Sequence, residues 1–171
     1  MADSLTFKAD LQMVGKQIKD LDLGDPVFNL AQQFQKNFAS GTGAGQVDRL
    51  FTDERTLGDG ANESLDLAGS LVDAFGAVIT FAKIKFLAIK NKSATQTLTV
   101  GGAAATTWTG PFGASTHTLA IPPDAEGSAF IVLVANAAGI AVGAGTADLL
   151  KILNSAGATC AYDIIIVGTS A

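Results

Sequence analysis

Between Val47 and Gly168 the sequence falls into short runs rich in β-branched and aromatic residues, separated at fairly regular intervals by turn residues. This spacing restricts the chain to an all-β fold of the sandwich or barrel kind. Eight runs read as strands: residues 47–53, 63–68, 78–91, 95–102, 116–122, 128–135, 147–154 and 159–168. In the fifth, His117, Leu119 and Ile121 alternate with Thr118 and Ala120. In the last, Cys160, Tyr162, Ile164 and Ile166 alternate with Ala161, Asp163 and Ile165. A period of two places one face of such a strand in a core.

The run 78–91 breaks its own alternation. Ile84, Phe86 and Ala88 fall on one face, whereas Phe81 falls with Lys83, Lys85, Leu87 and Ile89. A β-bulge or a crossing between sheets accounts for such a switch of parity. A helix through Leu71, Phe75, Val78, Ala82 and Phe86 competes with it, but Val, Ile, Thr and Phe dominate and Gly76 weakens a helix, so the strand is preferred. Residues 70–76 are expected to form a helical turn leading in.

Residues 1–46 differ in character and read as a peripheral arm, with 47–171 as the β-domain. Leu11, Val14 and Ile18 have helical spacing interrupted by Gly15. After Pro26, Phe28, Ala31, Phe34 and Phe38 fit one side of a helix, and an irregular strand fits equally. The glycine-rich stretch 39–45 is expected to act as a small-residue hinge.

Charge narrows the function classes. The 79 residues from Ser93 onward hold one basic side chain, Lys151, and four acidic ones, Asp124, Glu126, Asp148 and Asp163. Average proteins carry about one charged residue in four, so small neutral groups must cover this surface, and such a surface suits contact with other protein. The net charge of −5 and the lack of a Lys/Arg cluster argue against nucleic acid as a partner. A chain of 17.4 kDa should expose roughly 8,000 Å², more than its charges can cover. The N-terminal residues lack a secretory pattern, and the apolar stretch 129–142 is too short for a membrane helix. A soluble protein made in the host cytoplasm, with no membrane partner, is expected.

No motif supplies chemistry. GTGAG at 41–45 has Gln46 where a dinucleotide loop needs further spacing and glycine, and no P-loop Lys-Ser/Thr follows. Asp53, Glu54, Asp59, Glu63 and Asp66, with Arg55 among them, have no metal-ligand spacing and read as a solvated rim or an inter-subunit salt bridge. His117 is the single histidine and is expected to be hydrogen-bonded and semi-buried. Cys160, the lone cysteine, reads as a small core residue. Trp108 is either buried beneath its loop, an interface anchor or a sugar platform. No catalytic residue, cofactor or metal is expected, and the chain does not read as an enzyme.

The strings ASGTGAGQVDRLFTDERTLGDGANESLDLAGSLVDAFG, LTVGGAAATTWTGPFG and TADLLKILNSAGATCAYDIIIVGTSA resemble a type of small virion protein encoded among the head and neck genes of tailed bacteriophages. The resemblance covers residues 39–171. It implies a mainly β, jelly-roll-like β-sandwich that decorates or cements a capsid, with the major capsid protein and further copies in a homotrimer as partners and the capsid surface as its place. The candidate interface residues are Leu5, Phe7, Leu11, Phe28, Leu30, Phe34, Phe38 and Trp108. A neck, tail or fibre-base component and a glycan-binding β-sandwich module are the alternatives.

Overall fold

A computed structural model describes residues 4–102 and 105–171, which are all β, with fourteen strands and no helix. Each of the eight expected runs contains a strand. The largest sheet joins β4 (Arg49–Leu57), β8 (Lys83–Asn91), β11 (Phe130–Val134) and β14 (Cys160–Thr169) in the order β11-β8-β14-β4, with β12 (Ile140–Ala141) also paired to β8. A second joins β5 (Asn62–Asp66), β9 (Leu98–Gly101), β10 (Thr118–Ile121) and β13 (Leu149–Asn154) in the order β10-β9-β13-β5. Both are antiparallel throughout.

Inward side chains of both sheets form one cluster. Leu87 and Ile89 from β8 and Tyr162, Ile164 and Ile166 from β14 meet Leu98, Val100, Leu150 and Ile152 of the second sheet. At about 25 cal/mol for each Å² of apolar surface withdrawn from water, this continuous cluster is the main source of stability. The β14 alternation is as the sequence requires, with Cys160 buried inside. On β10 the alternation fails: Ile121 is buried, but Leu119 is 45% exposed and His117, also exposed, precedes the strand. β10 is an edge strand, paired with β9 on one side and open on the other.

The parity switch in β8 is a bulge. Val167 pairs with Phe86 and Gly168 with Ile84, leaving Lys85 as the extra residue. Ile84 and Leu87 therefore both face the core, while Phe86 and Ala88 point out through the opposite face. A side chain at Gly168 would lie 2.1 Å from the Lys83 carbonyl, so the close approach demands glycine. Lys85 is 1% exposed. Its Nζ donates to the Ala137 carbonyl at 2.5 Å, which also accepts Gly45 N–H at 2.9 Å. Burial, then the charges of Lys83 and Lys36, push the Lys85 amine below its ordinary value.

One local expectation is corrected. Residues 70–76 are no helical turn but a hairpin of β6 (Leu71–Val72) and β7 (Val78–Ile79). The Asp73 carboxylate accepts the N–H groups of Phe75 and Ala77, which closes a turn in place of a helix. The stretch 39–45 is pinned: Gly43 N–H donates to Gln46 Oε1, Gly45 N–H to Ala137, and Gly41 N–H to Val47.

The arm is neither irregular nor helical. β1 (Phe7–Ile18) and β2 (Val27–Ser40) form an antiparallel ribbon in continuous register from Phe7↔Phe38 to Ile18↔Val27. β3 (Gln46–Val47) returns parallel to its end. The exposed surface of 9,457 Å² exceeds the roughly 8,000 Å² of a compact chain of this mass. A ribbon that leaves the domain accounts for the excess.

Buried amides fasten the loops. Asn91 Nδ2 donates to the carbonyls of Gln96, Ile121 and Pro122, and its Oδ1 accepts Ser93 N–H and the Cys160 thiol. An Asn91→Ala substitution strands those buried groups, each costing about 1–3 kcal/mol. We expect a loss of at least ~3 kcal/mol in urea unfolding; a loss below ~1 kcal/mol would show that the amide is dispensable.

Candidate functional site

Direct cross-strand pairing sorts the ribbon into two faces. Phe7, Ala9, Leu11, Met13 and Gly15 share one with Phe38, Lys36, Phe34, Gln32 and Leu30, and Phe28 continues it toward the tip. The other face is polar near the domain, with Lys8, Asp10, Gln12 and Gln33. At the far end it becomes mixed: Val14 opposes Ala31 and Ile18 opposes Val27, with Lys16 opposite Asn29 between them. The Asp10 carboxylate, hydrogen-bonded to Lys8 and then to Gln33, titrates below its ordinary value.

Only the base of the apolar face is covered. Phe38 is buried with Val47, Phe86 and Val167, and Leu5, Phe7, Ala9, Leu50 and Ala88 pack around them. The Phe7 ring centroid is 4.8 Å from that of Phe86. Beyond Ala9 the ribbon leaves the sheet. Leu11, Leu30, Phe28 and Phe34 are exposed, the two phenylalanines at 63% each, and Val14, Ile18, Leu21, Leu23 and Val27 project around the tip.

The eight candidate interface residues thus divide. Leu5, Phe7 and Phe38 seat the ribbon on its own domain, while Leu11, Phe28, Leu30 and Phe34 face solvent on one side. Trp108 takes the buried alternative: it is 1% exposed, and its indole N–H donates to the Ala141 carbonyl at 2.8 Å. No ring surface is left there for a sugar. Sequence reasoning missed Val14, Ile18, Leu21, Leu23 and Val27. Val14, Ile18 and Val27 lie on the face opposite Phe28, Leu30, Phe34 and Phe38, and Leu21 and Leu23 lie between the strands, so the period-two pattern of those four residues did not extend to them.

The two lateral openings between the main sheets differ. On the β4–β5 side, Arg55 donates to Glu63 Oε2 through Nε at 2.8 Å and pairs with Asp53 at 2.8 Å, while the Tyr162 hydroxyl donates to Glu63 Oε1 at 2.6 Å. The acids expected as a rim or an inter-subunit bridge are engaged within the chain. Glu54 pairs with Lys92, Asp59 accepts Gly157 N–H, and Asp66 accepts Ala68 N–H. The hydrogen bond to Glu63 is the chief reason the Arg55 guanidinium holds its proton more tightly than usual.

On the β10–β11 side an apolar slot of about 410 Å³ lies open between Phe112, Leu119, Ile131, Leu133 and Leu87, and the sheets are joined at one end by the Asn91 amide bond to the Ile121 carbonyl. His117, at its rim, is exposed rather than semi-buried, with Nδ1 2.8 Å from the Phe112 carbonyl oxygen. Along β11, Phe130, Val132 and Val134 are 41–58% exposed, and Val132 also borders the slot. Among the described residues no cluster of His, Cys, Asp and Glu could hold a metal ion. Burial pushes the Cys160 thiol above its ordinary value, which disfavours the reactive thiolate.

Comparison with protein-family models, curated proteins and solved structures gives no match to this chain.

Burial first, then the bond to Glu63, drives the Tyr162 phenol far above its ordinary 10.0. The unfolded chain releases this proton near pH 10 and the folded chain does not. Stability from this group is therefore complete below that pH and declines as pH rises past it. We expect the wild-type protein to lose more stability between pH 8 and pH 11 than Tyr162→Phe does, measured by urea midpoints. Equal losses would contradict the assignment.

Proposed function

We propose that this chain is a structural virion protein that decorates or cements the capsid of a tailed bacteriophage. The observation that carries the reading is the outer half of the ribbon, built of ordered strands yet apolar on surfaces its own domain leaves bare. A two-stranded ribbon is marginal in water by itself, and exposed apolar area of this extent marks a protein contact. The ribbon and the low-charge β-domain supply contacts with the major capsid protein and with neighbouring copies in a homotrimer. The two main sheets and their shared core fit the jelly-roll-like sandwich that the sequence resemblance implies.

Three further observations support a structural role over catalysis. The carboxylates around Arg55 are tied into an intrachain clasp, His117 Nδ1 is engaged with the Phe112 carbonyl, and the lone thiol is buried. Burial of Trp108 removes the platform on which a glycan-binding reading depended.

The test is co-sedimentation of the purified full chain with capsids of the phage that encodes it. The expected result is saturable pelleting at a fixed ratio of many copies per capsid. A chain that stays in the supernatant, or pellets at only a few copies per particle, would overturn the decoration reading, the second outcome in favour of a neck or fibre-base part.

A further inference from the structure

Two unsatisfied surfaces of this molecule have complementary requirements. β11 is an edge strand, and Asn91 N–H donates to Ala129 O while Ala135 N–H donates to Lys85 O. Antiparallel alternation then turns the N–H and C=O groups of Phe130, Val132 and Val134 away from β8, toward the open side. Natural edge strands are guarded by lysine, proline or a bulge, and the sequence of β11, FIVLV, contains no proline or charge. The open apolar slot lies directly inside this edge.

The outer ribbon has what such an edge lacks. Lying flat on a surface requires one apolar face. Here Leu11, Met13, Phe28, Leu30 and Phe34 lie on one face, and Val14, Ile18 and Val27 share the other with Lys16 and Asn29. Apolar residues on both faces suit a strand standing beside β11, with the uncharged face entering the slot and the other, Lys16 included, staying in solvent beside the exposed row Phe130, Val132, Val134. β1 is the outer strand of its sheet and has the free edge for this pairing.

We infer that the ribbon of one copy adds through β1 to the β11 edge of a second copy, its apolar face filling the slot between β10 and β11. Area supports a second copy as the occupant. One face of the free length beyond Ala9, residues 11–18, is about 27 Å by 10 Å, or about 270 Å². A copy that both donates a ribbon and receives one buries about 540 Å², so two copies together bury about 1,080 Å², above the roughly 1,000 Å² that a specific interface needs. The slot lining contains no Lys, Arg, Asp or Glu, and neither does the inserted face beyond Lys36. This deepens the proposed function by naming the ribbon's partner, and rests only on its self-assembly part.

The test uses the full chain without capsids. Light scattering should give a closed oligomer, a small multiple of 17.4 kDa. Val132→Pro removes an N–H that the fold itself does not use, and Leu119→Lys places a charge in the slot; each should reduce the mass to that of one chain with an unchanged far-ultraviolet spectrum. Should Val132→Pro misfold, Leu119→Lys decides. Oxidation of a mixture of Leu11→Cys and Leu119→Cys chains should give a cross-linked pair, with Cys160 buried and out of reach. A wild-type chain that is monomeric at all concentrations, or an oligomer that persists in the folded variants, would overturn the exchange. A monomer that still pellets with capsids would overturn the exchange and leave the decoration reading standing, and an oligomer that ignores capsids would do the reverse.

Discussion

Everything outside the central core depends on one extra residue in β8. Without a bulge, Ile84 and Phe86 would share a face, and either the core would lose an isoleucine or the outer surface its aromatic. Placing Lys85 in the bulge lets Ile84, Leu87 and Ile89 all reach the core while Phe86 points the other way and receives Phe7 and Phe38. The bulge has a cost, since an amine is buried with a backbone carbonyl as its acceptor. That acceptor, Ala137, also holds Gly45, so the loop after β11 and the turn after β2 meet at one point. Gly139, at φ 83°, leaves room for the lysine stem.

The seat of the ribbon fixes what the rest of it does. Two aromatic rings at the base are held, and the strands then run off the sheet with their apolar face uncovered. The body of the domain is asymmetric in a matching way. Arg55, Glu63 and Tyr162 close one side between the sheets, whereas the β10–β11 side holds an open apolar slot. A chain in isolation gains nothing from either open surface, and both gain when another chain covers them.

The β-domain was legible because its period-two signals are strong: all eight runs hold strands, and β14 follows its alternation to the residue. The parity break at Ile84–Leu87 announced the bulge, though sequence alone left a sheet crossing equally open. Legibility failed where local spacing fitted two periods at once. Phe28, Phe34 and Phe38 satisfy a helix and a strand, and only their tertiary partners decide. Trp108, Leu119 and His117 depended on which strand became an edge, which is a property of strand order and not of local pattern. The clasp joins residues as far apart as Glu63 and Tyr162, so five acids in one region gave no sign of it.

Hydrogen exchange along Phe7–Ser40, followed as protein concentration is raised, tests the central claim most directly. The amides near Phe7 and Phe38 should be protected at every concentration, because their seat is within the chain. Those between Leu11 and Phe34 should gain protection only as copies associate. Uniform protection of the whole ribbon in dilute monomer, or none in the outer half at any concentration, would contradict the view that a second copy completes it.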